Sequence, residues 1–365
     1  MKCIVKSEDI QKAVSMVERV TGKNLTLPIL SGIKIEVKKN KIILKATNLN
    51  IGVEYEIDGQ IEKEGETVVH GVTLSGAISN LKAKENITLE KKDSILKIST
   101  KAQNSNIKVL EDDEFPILPK VEGQNIIISS KKLYEVIKSV SFSASLSDIK
   151  PEIASVYIYI ENGHLISTAT DSFRLAEKKT LLKKTDDIEG IIIPIKNCGE
   201  LLRILEEINS DVELIISKNQ ISIKSEKIYF TTRIIDGVFP DYRQIIPKDS
   251  KTSATILKKD FIDALKTSTY FTDKFNNINI KILPTDKKFV VETKNPDVGD
   301  SVIEIDAVIK GDKLEASYNY KYILDSLSFI EDDSIIISFM DENKPMVIKG
   351  NSDKSFLYLV MPLNR

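Results

Sequence analysis

Alternating apolar and polar positions run through this chain, and one run comes back three times. Ile42-Ile43-Leu44-Lys45-Ala46-Thr47 returns as His164-Leu165-Ile166-Ser167-Thr168-Ala169-Thr170 and again as Lys288-Phe289-Val290-Val291-Glu292-Thr293. Thr47, Thr170 and Thr293 are 123 residues apart each time. Glu114-Phe115-Pro116, Val238-Phe239-Pro240 and Val360-Met361-Pro362 keep nearly the same interval, and helix-like stretches start near Thr73, Lys196 and Asn319. A period this long is not a solenoid repeat. It predicts three similar domains in tandem, at residues 1–122, 123–247 and 248–365.

Each repeat opens with a strand and a helix. Met1–Lys6 alternates, and Ser7 is placed as an N-cap, with Glu8 and Asp9 in the first turn. Ile10, Ala13, Val14 and Val17 then recur at helical spacing. Ile126–Ile128 leads likewise to Leu133, Val136, Ile137 and Val140, and Ala254–Leu257 leads to Phe261, Ala264 and Leu265. Paired alternating runs follow. Ile33–Val37 meets Lys41–Ala46 at Lys39-Asn40. Val156–Ile160 meets Leu165–Thr168 at Glu161-Asn162-Gly163, where glycine supplies a positive φ. Second helices are expected over Leu74–Leu81, Cys198–Ile208 and Tyr320–Phe329. One repeat is thus roughly eight strands and two helices, an α+β class with antiparallel sheets because the connections are short.

Open sheet edges are an aggregation hazard. Tandem copies remove it by pairing edges across each domain boundary, which leaves one open edge at either end of the chain. A head-to-tail contact between two chains would close a ring. The alternative is a monomeric row with blunted edges.

Composition narrows the function. The chain has 365 residues, 41% of them apolar, enough for buried cores. No stretch approaches the length of an uncharged membrane span. Met1–Lys6 lacks the apolar core of a signal peptide. Cys3 and Cys198 stand at unrelated repeat positions, so no disulfide is expected and a cytoplasmic location is the default. Those two cysteines, with His70 and His164 far apart in sequence, supply no metal site, and no cofactor is expected. Net charge is -2, which argues against gripping nucleic acid by bulk charge. The six predicted helices carry a slight excess of Lys and Arg, and the remainder of the chain is acidic.

Two segments could carry chemistry. In Ala169-Thr170-Asp171-Ser172-Phe173-Arg174-Leu175, Asp171 could act as a base and Arg174 as an anion clamp. The competing reading is a turn in which Asp171 and Ser172 bond local backbone. Asp241-Tyr242-Arg243 beside Pro240 could be a catalytic Asp-Tyr pair, and the competing reading is a structural turn at a domain boundary. The first segment contains no histidine to form a triad, and no Gly-rich phosphate loop exists. A hydrolase using Asp171 or Asp241 and a purely structural array are the alternatives to a ring. The acidic runs Glu111–Glu114 and Glu331–Asp333 read as solvated loops.

Four stretches resemble the bacterial DNA polymerase III beta subunits, the sliding clamps, and the resemblance spans the whole chain. They are Leu25-Thr26-Leu27-Pro28-Ile29-Leu30, Ala169 through Ala176, Asp236-Gly237-Val238-Phe239-Pro240-Asp241-Tyr242-Arg243, and Val360-Met361-Pro362-Leu363-Asn364-Arg365. The resemblance implies the DNA-clamp fold and a non-catalytic processivity factor, a homodimeric ring of six domains around double-stranded DNA. Its partners would be the replicative polymerase alpha subunit, the clamp loader, other polymerases and repair proteins, each docking through a short linear motif, with no membrane involved.

Carried over position by position, the docking cleft would comprise Ile153, Thr170, Phe173, Arg174, Leu175, Pro240, Ile245, Leu359, Met361, Pro362 and Leu363. Lys23, Asn24, Lys150 and Lys196 would face DNA. Ile107 and Val109, on the strand near Asn104–Leu110, would meet the third-domain edge near Asp297–Asp306 of a second chain, with Tyr270 and Phe271 at the seam. Ser172-Phe173 stands where many relatives have Gly-His, and Gln244 where many have Arg. The chain closes Leu363-Asn364-Arg365 rather than Met-Arg-Leu.

Overall fold

The recurring run is a strand in all three places: Lys41–Thr47, His164–Thr170 and Lys288–Asn295. The structure, a computed structural model, describes residues 1–22, 27–39, 41–111, 115–182 and 185–363. Six helices lie among them: α1 (Ser7–Glu18), α2 (Gly71–Ser79), α3 (Ser130–Ser141), α4 (Ile195–Glu206), α5 (Lys258–Ser268) and α6 (Tyr320–Leu327). On α1 the buried residues include Ile10, Ala13, Val14 and Val17, the stripe the spacing predicted. The Asn162-Gly163 hairpin forms with both residues at positive φ (51° and 73°), the conformation that a two-residue turn between right-twisted strands requires. Of the other predicted hairpin loop, Asn40 lies outside the described residues.

Ser7 does not cap α1. Lys6 holds the cap position without a side-chain bond, and Ser7 is the first helical residue. The Ser7 hydroxyl instead accepts the Glu85 N–H at 3.2 Å, and its own N–H donates to the Glu85 carbonyl at 2.9 Å, so a distant loop satisfies this end. Asn319 does cap α6, accepting from the Lys321 N–H at 3.0 Å. The Glu331–Asp333 run is more than a solvated loop. The Asp332 carboxylate accepts the N–H groups of Ser352 and Asp353, and these hold its pKa below the usual value. The other acidic run falls mostly on residues outside those described.

The chain divides into two compact units, and neither coincides with a repeat. One contains Met1–Tyr134 and Asn197–Asp236. Its antiparallel sheet runs, edge to edge, through Gln124–Ser129, Asp211–Ile216, Gln220–Lys224, Ile228–Arg233, Ile51–Ile57, Lys41–Thr47, Gly32–Lys38, Gly65–His70, Asn104–Leu110, Ile95–Ser99, Asn86–Lys92, Lys2–Lys6 and Gln60–Lys63. The crossing between repeats is the pairing of Ile228–Arg233 with Ile51–Ile57, with Phe230 opposite Val53. Here α1 packs against α2, and Arg203 donates to the carbonyls of Ser15 and Met16.

The other unit contains Glu135–Lys196 and Gly237–Arg365. Its larger sheet runs through Ile188–Pro194, Ser155–Glu161, His164–Thr170, Arg174–Leu181, Phe356–Val360, Met346–Gly350, Ser334–Phe339, Thr252–Leu257 and Val308–Lys310. A smaller sheet holds Gly299–Asp306, Lys288–Asn295, Asn277–Leu283 and Leu314–Asn319 in that order. Phe261 and Phe289 meet edge to face at 5.3 Å in its core. Again the sheet crosses a repeat boundary, where Arg174–Leu181 pairs with Phe356–Val360 and Leu175 lies opposite Leu359. Edge pairing across repeats, expected from the cost of open edges, is what makes a compact unit larger than a repeat. Among the described residues, no helix is long and apolar enough to cross a membrane.

Candidate functional site

The turn between His164–Thr170 and Arg174–Leu181 is built by its own side chains. Thr170 Oγ1 donates to the Arg174 carbonyl at 2.7 Å and accepts the Ser172 N–H at 3.1 Å. Asp171 Oδ1 accepts the N–H groups of Phe173 and Arg174, both at 3.0 Å. Asp171 therefore acts as the local turn-former rather than as a free base. Ser172 sits at φ 77°, the left-handed region where a side chain costs roughly 1 kcal/mol and glycine nothing. The turn leaves Phe173 61% exposed.

The same turn occurs one repeat earlier. Thr47 Oγ1 donates to the Ile51 carbonyl, Asn48 Oδ1 accepts from Asn50 and Ile51, and Leu49 has φ 73°. What distinguishes the second copy is the residue that follows. Arg174 Nε reaches Asp171 Oδ2 at 3.0 Å, and Nη1 reaches Asp325 Oδ2 at 2.7 Å. Its guanidinium lies 4.5 Å from the centre of the Tyr322 ring and 5.6 Å from that of Phe142. Burial works to lower the Arg174 pKa, but Tyr358, Asp325 and Asp171 outweigh it and raise the pKa. Tyr322, Asp325 and Phe142 were not singled out in the sequence. The signal for the first two was their i, i+3 spacing on a predicted helix.

The C-terminal segment completes the site. Past Phe356–Val360, the Met361 N–H donates to the Phe173 carbonyl at 2.8 Å and the Leu363 N–H to the Ser317 carbonyl at 2.8 Å. Thr170, Leu175 and Leu359 are buried, Met361 is 38% exposed, and Pro362 and Leu363 are half-buried. Strand pairing and the bond from Met361 to Phe173 bring together Thr170, Phe173, Arg174, Leu175, Leu359 and Met361, whereas Leu363 is held at Ser317 and lines a different depression. Ile153 is half-buried in the loop after α3, its carbonyl accepting from Ser145 N–H at 3.0 Å. Ile245 ends a short 3-10 turn, Tyr242–Ile245, and is half exposed. Pro240 lines a separate depression beside Tyr157 and Tyr159.

Asp241-Tyr242-Arg243 is a structural corner in which Tyr242 is buried and its two neighbours are exposed. The Tyr242 hydroxyl donates to Glu177 and lies 2.7 Å from the Tyr159 hydroxyl. Burial first, and the Glu177 charge second, push its pKa far above the usual tyrosine value. Arg243 Nη2 reaches Glu161 at 2.6 Å and the Tyr159 hydroxyl at 2.8 Å.

Of the residues expected at DNA, Lys23 and Asn24 lie outside those described. Lys150 is exposed, and Lys196 is exposed but paired with Asp148. Of those expected at a chain-chain seam, Ile107 is buried and Val109 is half-buried opposite Val69. Tyr270 is 77% exposed and Phe271 half-buried. Asn104–Leu110 is an edge over part of its length only, because Val109 and Leu110 pair with Gly65–His70. Among the described residues, Gly299–Asp306 pairs on one side alone, with Lys288–Asn295.

Family models for the DNA polymerase III beta subunit match the chain in three pieces: the N-terminal domain over residues 1–119, the central domain over 127–241 and the C-terminal domain over 243–364. The beta sliding clamp of Staphylococcus epidermidis is 30% identical over 349 residues, covering 93% of this chain and 92% of that one. That of Staphylococcus aureus is 29% identical over 371 residues, covering 99% and 96%. The crystal structure of the Bacillus subtilis DNA polymerase sliding clamp superposes with a TM-score of 0.94 at 27% identity, over 100% of this chain and 99% of that one. The chain belongs to the DNA polymerase III beta subunit family, the bacterial sliding clamps, whose members are non-catalytic processivity subunits of the replicative polymerase.

Proposed function

We propose that two copies of this chain, each of three domains at 1–122, 123–247 and 248–365, close head to tail in the cytoplasm as a ring around duplex DNA. The observation that carries this is the open edge of Gly299–Asp306. Val302 on that strand is 56% exposed, and the Thr269–Phe271 turn, with Tyr270 at 77%, packs against it. An extended edge with apolar residues at its margin calls for a strand partner. Asn104–Lys108, unpaired on one side among the described residues, is the complementary edge offered by a second copy. Enclosure holds DNA without strong contacts, which suits a chain of net charge -2. Lys150 and Lys196 make weak, sequence-independent contacts with the backbone.

The second element of the proposal is the cleft around Arg174 and Met361. The burial of Thr170, Leu175 and Leu359 and the exposure of Phe173 and Met361 support reading the first three as its floor and the other two as its rim. It receives short extended motifs with aliphatic or aromatic anchors and a polar residue such as Gln, carried by the polymerase alpha subunit, the clamp loader, other polymerases and repair proteins. The test of the ring is mass in solution. Micromolar protein should run at twice 41.0 kDa, and replacing Tyr270 and Phe271 together with Ala should shift it toward monomer. A monomeric parent chain would overturn the ring, and a double variant that stays dimeric would misplace the seam.

A further inference from the structure

We infer that an open depression of about 570 Å³ beside Pro240 is a second docking site, taking an Arg or Lys side chain from an extended segment of a protein partner. Its size falls in the range of ligand-holding clefts. The walls are aromatic. Tyr157 and Phe239 stack in parallel, 4.8 Å apart and 4° from coplanar, and Tyr159 packs on Tyr157 at 5.2 Å. A bulge shapes the other side: Ile158 lies opposite Ile191 but Ile160 opposite Ile188, so one extra residue is accommodated around Glu189-Gly190. A Cβ at Gly190 would come within 1.9 Å of the Tyr157 ring, so the ring lies directly on bare backbone there.

Charge decides the occupant. Glu161, Asp187, Glu189, Asp241 and Arg243 are the ionic residues of the lining. Arg243 is consumed by Glu161, and its guanidinium lies 5.3 Å from the centre of the Tyr159 ring. The chain itself thus shows a guanidinium held here by an aromatic face and a carboxylate. Asp187 accepts the Asn162 N–H and Asp241 the Gln244 amide, both neutral donors. Among the described residues, no cation pairs with Asp187, Glu189 or Asp241. Tyr159 and Phe239 are buried and Tyr157 is half-buried, so the wall is partly covered, and with its rim of carboxylates it suits a side chain with an apolar stem and a cationic head. A bare metal ion would leave the wall unused, and an anion would be repelled. The site has Pro240 in common with the expected cleft but none of the C-terminal segment, so it stands or falls separately from the cleft.

The test uses methyl-resolved NMR of the full chain, with Ile160 and Ile188 as reporters in the lining and Ile245 outside it. The probe is the tetrapeptide acetyl-Gly-Arg-Arg-Gly-amide, and the control replaces both arginines with glutamine. The arginine peptide should shift Ile160 and Ile188 saturably and leave Ile245 unmoved. Glu189→Gln with Asp241→Asn, both at exposed positions, should weaken binding at least tenfold while the other methyl signals stay in place. The inference is overturned if the neutral peptide gives the same shifts, if the double variant binds as the parent does, or if magnesium chloride at equal ionic strength reproduces the pattern.

Discussion

Arg174→Ala removes the side chain that ties the turn at 170–174 to α6. Its side chain is 13% exposed, and Asp171 and Asp325 are 16% and 48% exposed. A charge-assisted hydrogen bond contributes about 1.5–3 kcal/mol when sheltered. The Asp171 contact qualifies. The Asp325 contact is half in water and counts for less than about 1 kcal/mol. Lying over Tyr322 and Phe142 adds about 1 kcal/mol. The loss should be about 3–4 kcal/mol, at the lower end of breaking a buried pair, because Asp171 keeps its two backbone N–H donors. For a unit of this size that is a fall in Tm of about 6–15 °C, read by scanning calorimetry. Arg174→Lys keeps the charge and loses the fork, and should recover less than half. A loss below about 1 kcal/mol, or a lysine variant equal to the parent, would show that the contact is incidental and the turn self-supporting.

Other outcomes follow from the same geometry. Ser172→Gly should stabilise the fold by about 0.5 kcal/mol, after the entropy of glycine is set against relief of the left-handed strain, and this is read as a higher urea midpoint. Ser172→Val should cost more than about 1 kcal/mol, because a β-branched residue fits that region worst. Burial pushes the Cys3 thiol up to about 12 from 9.0. The folded state therefore keeps a proton that the unfolded chain releases, so this contribution is constant below pH 8 and is lost as pH climbs from 9 toward 12. Native protein at pH 8 should resist thiol reagents at Cys3, and fast labelling without unfolding would contradict the burial. Deleting residues 361–365 should leave the sheets intact and weaken a Gln- and leucine-anchored peptide by one to several powers of ten, at about 1.5–3 kcal/mol for each anchor lost. An unchanged affinity in a titration would move the partner site elsewhere.

Much of this architecture was legible because its periodicities are strong. The threefold run produced strands in every copy, and the helical stripes of α1 and α5 bury the residues their spacing named. Local chemistry was readable where the partners are local, as at Asn162-Gly163 and in the Asp171 turn. Ser7 was misread because a carbonyl and an N–H from Glu85 replace the cap, a tertiary substitution that no local pattern announces. The setting of Arg174 stayed hidden for the same reason, since Asp325 is 151 residues away in sequence. The positive φ of Ser172 was masked by a residue that rarely adopts it. Units larger than a repeat follow from edge pairing, and only the register of Leu175 on Leu359 and Val53 on Phe230 shows where the pairing falls.

Encirclement is the central claim, and retention on closed DNA tests it most directly. The protein is loaded onto nicked circular plasmid, freed of unbound chain by gel filtration, and followed before and after a single restriction cut. A ring that holds DNA by enclosure should stay with the circle through high salt and leave rapidly once the ends are free, because screening removes phosphate contacts but not topology. Equal retention on circular and linear DNA, or loss from the circle at high salt alone, would mean that the chain binds by contact and does not encircle.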